Sequence, residues 1–171
     1  MKGIDKLTGW AKTISGPHHE AHEGKFFKCY LTTANIGAET GDYIQISWKS
    51  PGGSAQMNLV THVRCGASAL YKFTRAWSGG GATPGGTVPG RNRNHMFPDS
   101  SIVFSYGASL VTGGNLLDSQ YITTGKFTAG ELRDSEEELL KTNTNYAVSL
   151  YLAAAETATI QLDWYMKTDR R

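Results

Sequence analysis

The last thirty residues alternate between apolar and polar side chains in two successive segments, and this pattern most constrains the fold. In 145–152, apolar side chains recur at every second position: Tyr146, Val148, Leu150 and Leu152. In 157–166, the same period of two places four large side chains on one face: Ile160, Leu162, Trp164 and Met166. This period, with aromatic and β-branched residues, is typical of half-buried antiparallel strands. The sequence therefore predicts an all-β protein.

Short candidate strands recur along most of the chain. Its 171 residues correspond to one domain, since a domain commonly holds about 100–200 residues. Twenty glycines and a charged fraction of 19% suit many strands joined by turns. The candidates are 26–33, 43–49, 56–65, 68–76, 101–106, 121–127 and the two C-terminal segments. About eight antiparallel strands predict a β-sandwich that is jelly-roll-like. We expect 56–65 and 68–76 to pair as a hairpin or to form one bulged strand.

The first 24 residues are predicted to form an N-terminal arm, followed by the β-sandwich domain at 25–171. Apolar residues recur in the arm at spacings of three and four: Ile4, Leu7, Trp10, Ala11 and Ile14. This spacing favours a brief helix that docks by its apolar side, and an extended arm is the alternative. Trp10 is a candidate interface residue.

Charge and cysteine content exclude several kinds of partner. The net charge is +2 and no basic stripe follows a predicted strand, so nucleic acid is not an expected partner. We expect neither a membrane span nor export by a signal peptide, because no apolar run has the required length.

Cys29 and Cys65 are expected to be buried free thiols, with a disulfide as the alternative. The acidic run at 136–138 predicts a solvated edge or one helical turn.

Three histidines and two glutamates precede the first sandwich strand: His18, His19, Glu20, His22 and Glu23. Imidazole and carboxylate groups bind first-row metals, but the spacing fits neither H-E-x-x-H nor H-x-x-E-H. We therefore predict a hydrogen-bonded packing or interface motif, with no metal and no cofactor; a metal-dependent enzyme is the less favoured alternative. The chain also lacks a G-x-S-x-G elbow and a phosphate-binding loop, so no enzymatic activity is expected.

A glycine-rich segment at 78–99 is too long for an ordinary hairpin connection. Arg91 and Arg93 lie in its second half and Trp77 precedes it, so these three residues are interface candidates. Trp48 and Trp164 are expected in the core. Tyr165 faces the opposite side of its strand, and an exposed aromatic there would suit carbohydrate binding.

Three phrases occur in order across nearly the whole chain. They are TI followed by HHEAHEG at 13–24, GTVP followed by RNRN at 86–94, and NTNY followed by IQLDWY at 143–165. Together they resemble the head decoration (cement) proteins of tailed bacteriophages. The middle phrase of that family usually has an asparagine before the first arginine, where this chain has Gly90.

The resemblance implies a β-sandwich subunit that forms a homotrimer at local threefold positions on the outer capsid surface. Its partners would be the major capsid protein and further copies of itself, and it would be made in the host cytoplasm and reside in the virion. No catalytic residue is carried over. The arm with its histidine motif and the loop around Arg91 are the expected contact regions. The alternative function is a carbohydrate-binding head or tail appendage that aids attachment, with a glycan as partner.

Overall fold

A computed structural model describes residues 2–4, 11–13, 26–32, 43–53, 55–66, 68–79, 83–84, 102–106, 110–123, 130–133, 138–153 and 157–168. These residues form strands β1 (Lys2–Ile4), β2 (Ala11–Thr13), β3 (Phe26–Thr32), β4 (Tyr43–Lys49), β5 (Ala55–Cys65), β6 (Ala69–Arg75), β7 (Thr83–Pro84), β8 (Phe104–Tyr106), β9 (Asn115–Ile122), β10 (Gly130–Arg133), β11 (Glu138–Leu140), β12 (Asn145–Leu152) and β13 (Ala158–Thr168). No helix occurs within these ranges, and hence none there could span a membrane.

Two antiparallel sheets form the body of the protein. In the five-stranded sheet, β10 and β11 both pair with one edge of β5, β13 pairs with the other edge, and β3 follows β13. The six-stranded sheet has the order β7-β8-β4-β12-β6-β9. The prediction of an all-β antiparallel sandwich is confirmed.

The core lies between the two sheets and is rich in aromatic rings. Trp164 of the five-stranded sheet has no exposed surface, and its ring centroid lies 4.8 Å from that of Phe104 in the other sheet. Phe27 stacks on Trp164 at 5.5 Å. Trp48 is also buried, within a ring cluster on the six-stranded sheet. The expectation that Trp48 and Trp164 belong to the core is confirmed.

The prediction that 56–65 and 68–76 form a hairpin, or one bulged strand, is wrong. β5 belongs to the five-stranded sheet and β6 to the six-stranded sheet, so the chain crosses between layers after Cys65. Alternating residues of both strands are buried, including Leu59 in β5 and Phe73 in β6. These side chains belong to one core cluster between the sheets. Those of β5 enter it from one sheet and those of β6 from the other.

The favoured N-terminal helix is also wrong over the described residues. β1 and β2 pair as a separate antiparallel sheet, with Lys2 opposite Thr13 and Ile4 opposite Ala11. Helices shorter than about 12–15 residues are marginal on their own, and Gly3 and Gly9 lower the helical propensity of this segment further.

Two strands also depart from their predicted burial or bounds. β9 begins at Asn115, whereas the sequence predicted a strand that starts at Tyr121. β12 is buried on both faces rather than one, since Ala147 and Ser149 of its outer face are also covered. A covered outer face indicates that further chain packs over the six-stranded sheet.

Gly114 begins the turn into β9 and has a φ of 86°. A Cβ there would lie 2.6 Å from the Arg75 carbonyl oxygen and 2.9 Å from the Trp77 backbone nitrogen. Gly53 has a similar φ of 83° but open space around it. Gly53→Ala should therefore lose only about 1–2 kcal/mol of unfolding free energy, the cost of a left-handed conformation.

Gly114→Ala should lose about 1–3 kcal/mol more, because the backbone must shift to admit the methyl group. Urea denaturation of the two variants, followed by circular dichroism, measures the difference. Equal losses in the two variants would contradict the close approach at Gly114.

Candidate interaction surfaces

Most of the residues predicted to form interfaces lie outside the described part of the chain: Trp10, His18, His19, His22, Glu23, Arg91 and Arg93. Trp77 is described and is half-buried. Its carbonyl oxygen accepts a hydrogen bond from Asn145 Nδ2 at 3.2 Å. This bond fixes the Trp77 backbone to the end of the six-stranded sheet.

An exposed apolar edge strand is the most prominent surface feature. β9 pairs with β6 along one side and is the last strand in the order of the six-stranded sheet. Three of its four large apolar side chains face solvent: Tyr121 is 81% exposed, Leu116 55% and Leu117 42%. Within the described strands nothing pairs with the second edge of β9. Long exposed apolar edges are sites where another chain adds to a sheet.

A row of large side chains continues from Tyr121 across the outer face of the six-stranded sheet. The strand registers place Tyr43, Tyr151, Leu70 and Tyr121 side by side on β4, β12, β6 and β9. The rings of Tyr43 and Tyr151 lie 6.2 Å apart, and Lys72 Nζ lies 4.5 Å from the centroid of the Tyr151 ring. We call this row, together with Leu116 and Leu117, the β9 face.

The part of the outer face around Gln45 and Ser149, beside this row, is covered. Ser149 Oγ donates to Gln45 Oε1 at 2.9 Å, and the Val111 backbone N–H donates to the same oxygen at 3.1 Å. Gln45 and Ser149 are buried, so the chain around Val111 lies over their part of the sheet. The β9 face is therefore bounded on one side by this covering segment.

A second surface, on the outer face of the five-stranded sheet, is polar. Gln161 Nε2 lies 3.2 Å from both carboxylate oxygens of Asp163 and donates to them. His62 Nε2 lies 3.7 Å from Asp163 Oδ2. Tyr30, opposite Gln161 in the register, is 66% exposed. We call this set, with Lys28, the polar face.

Tyr165 does not provide the exposed aromatic that its position suggested. It is only 8% exposed although it lies on the outer face of β13. Among the residues whose burial the structure describes, the exposed tyrosines are Tyr30 and Tyr121, which both lie on edge strands. Edge position, and not alternation alone, decides which outer-face rings reach solvent.

The cysteines are free thiols, as predicted, and Cys65 is buried whereas Cys29 is half-buried. Burial raises the pKa of Cys29 to about 12, partly offset by a backbone hydrogen bond at Leu162, while Asp163 raises it further. Burial also raises the pKa of Cys65. Both thiols are therefore held in the protonated form, which is not the nucleophile.

Stability should consequently fall in alkali. An unfolded thiol ionises near pH 9.0, so the stabilisation from protonated Cys29 is complete below that pH and is lost progressively up to about pH 12. Urea denaturation at rising pH measures this loss, with Cys29→Ala as the control. We expect a steeper decline for the parent protein than for the variant, and equal slopes would contradict the assignment.

No protein-family model, curated protein or solved structure matches the chain. The surfaces above therefore carry the functional argument by their own chemistry. Sequence reasoning missed both of them. Two features of the sequence could have indicated them. Adjacent leucines at 116–117 stand in a polar segment flanked by turns, and Gln161 and Asp163 fall on one face of the last predicted strand.

Proposed function

We propose that the protein is a virion structural component that decorates and stabilises the outer surface of a bacteriophage capsid, as a homotrimer at local threefold positions. The β9 face is the observation that carries this proposal. It joins a strand edge, with which none of the described strands pairs, to exposed leucine and tyrosine side chains. Tyrosine and other aromatic residues are enriched where proteins bind proteins, and charged residues are depleted at the centres of such contacts.

The chain connectivity supports the same class of protein. Taken in chain order, the eight main strands are β3, β4, β5, β6, β9, the β10–β11 pair, β12 and β13. The first pairs with the last, the second with the seventh, the third with the sixth and the fourth with the fifth. We infer from this nested pairing a jelly-roll connectivity, which is common in viral capsid and lectin domains. A fold alone assigns no function, so this argument is secondary to the β9 face.

The β9 face is compatible with the proposed trimer. A threefold ring uses heterologous contacts, in which one patch meets a different patch on the next copy. The β9 edge can supply one of these two patches, and the remaining apolar row can contact the major capsid protein. Three weak capsid contacts in one rigid trimer then act together by avidity.

Sedimentation with capsids tests the proposal. The protein, at roughly micromolar concentration, is mixed with purified expanded capsids of the phage that encodes it and is centrifuged. We expect it to sediment with the shells, and a mass near three times 18.6 kDa, about 56 kDa, in solution. Protein that remains wholly in the supernatant would contradict the proposal.

A carbohydrate-binding head or tail appendage is the second candidate function. The polar face favours it, because an exposed tyrosine lies beside hydrogen-bonding side chains held in place by one another. Such an appendage would help the particle to adhere to cells. Its test is binding to immobilised glycans, which does not depend on capsids.

A further inference from the structure

On the outer face of the five-stranded sheet, polar side chains from three neighbouring strands lie close together. The registers place the five side chains of this face in two rows, Tyr30, Gln161 and His62 in one and Lys28 and Asp163 in the next, where the half-buried Val60 lies on the other side of Asp163. Neighbouring strands lie about 4.8 Å apart, and side chains two residues apart on one strand about 7 Å apart. The five side chains thus occupy one compact patch on a rigid sheet.

The centre of this patch is recessed and ordered. The side chains of His62 and Asp163 are each only 16% exposed. Asp163 accepts both contacts from the amide of Gln161, which fixes the plane of the carboxylate. A carboxylate has about four acceptor positions, so capacity remains on its oxygens for donors from a ligand.

The rim of the patch lies on the edge strand β3. Tyr30 is 66% exposed and follows Lys28 by two residues, so that both side chains project from the same face. Lys28 is exposed and forms no ion pair with any residue that the structure describes. The rim therefore offers an aromatic ring and an exposed cation, which lies opposite Asp163 in the register without forming an ion pair within 4 Å of any residue that the structure describes.

We propose that the polar face binds an acidic saccharide. The inference rests on the second candidate function above and names its ligand. The sugar ring packs against Tyr30, its hydroxyl groups donate to Asp163 and accept from His62, and its carboxylate meets Lys28. A tyrosine ring can cover the apolar face of a ligand while its own hydroxyl group stays in contact with water. Opposite charges give specificity across such contacts.

The chemistry of the patch separates this ligand from a protein partner. The exposed large apolar side chains of the six-stranded sheet lie together on β9. On the outer face of the five-stranded sheet, Tyr30 is accompanied by Lys28, Gln161 and Asp163, and the exposed Leu139 of that face lies three strands away on β11. Charged residues are depleted at the centres of protein contacts. Here the centre is a hydrogen-bonded carboxylate, which suits a ligand rich in hydroxyl groups.

Matched glycan pairs test the proposal. Oligogalacturonate and sialyllactose are compared with their neutral partners, methyl-esterified oligogalacturonate and lactose, by isothermal titration calorimetry. We expect the acidic member of at least one pair to bind about tenfold more tightly than its neutral partner. Lys28→Gln should remove most of this difference, and Tyr30→Ala should abolish binding to both members.

Two controls locate the site. Tyr30→Phe keeps the ring and should retain binding, while Tyr121→Ser alters the opposite sheet and should leave it unchanged. Lys28 and Tyr30 are exposed, so their variants should melt as the parent does. Equal binding of neutral and acidic members would overturn the acidic assignment while keeping an adhesive function. Absence of binding to every glycan at millimolar concentration would overturn both the acidic ligand and the adhesive function. Binding that survives Tyr30→Ala would place the site elsewhere.

Discussion

Replacing Trp164 with alanine is expected to lower the free energy of unfolding by about 3–5 kcal/mol. The indole is completely buried and lies between Phe27 of its own sheet, at 5.5 Å, and Phe104 of the opposite sheet, at 4.8 Å. Its removal leaves a cavity at the contact between the two layers. The loss is a large part of the roughly 5–15 kcal/mol that stabilises a typical domain. Urea denaturation followed by circular dichroism measures it.

Trp164→Phe is the matched control. Within the described structure the indole Nε1 has no hydrogen-bond partner, so this substitution sacrifices ring volume but no hydrogen bond. We expect it to cost clearly less than the alanine variant. A loss for Trp164→Ala no larger than that of an exposed substitution such as Tyr30→Ala would show that the two sheets do not pack through this ring.

Capsid binding should weaken by at least about 100-fold when Tyr121 and Leu117 are both replaced by serine, since central interface residues often cost 2 kcal/mol or more each. Tyr121 is 81% exposed and Leu117 is 42% exposed on the edge strand. The double variant removes two of the three exposed large apolar side chains of β9 and keeps its backbone. Titration of fluorescently labelled protein onto expanded capsids gives the affinity directly.

Leu139→Ser serves as the comparison for this prediction. Leu139 is 59% exposed, but it lies on β11 in the five-stranded sheet, away from the β9 face. We expect its affinity for capsids to match that of the parent protein. If the β9 variant and the Leu139 variant bind equally well, the β9 face does not contact the shell or a neighbouring subunit.

Alternation in the sequence was sufficient to predict the strands that line the core. β4 and β13 place Trp48 and Trp164 inward, as a period of two requires. The same pattern carries no information on which strands pair, and for this reason β5 and β6 were expected to form a hairpin although they lie in different sheets. Which sheet a strand joins depends on all the strands that compete to pair with it. The alternation within one segment carries no information about those other strands.

The interaction surfaces were harder to predict for physical reasons. β9 has a break in register between Phe73 and Thr74 of its partner, which interrupts alternation around Leu117 and conceals the strand. Gln45 is polar, yet it is buried because Ser149 and the Val111 backbone satisfy its side-chain oxygen. Coverage by a distant segment and exposure at a sheet edge both depend on tertiary structure.

Calorimetry of purified expanded capsids, with and without added protein, tests most directly whether this chain stabilises a shell. A protein that binds the assembled shell and not its dissociated subunits raises shell stability by RT ln(1 + [L]/Kd) per site. We predict that the melting temperature of the shell rises with protein concentration and reaches a plateau when the sites are filled. A melting temperature that stays constant up to concentrations of roughly ten micromolar would contradict the proposed function.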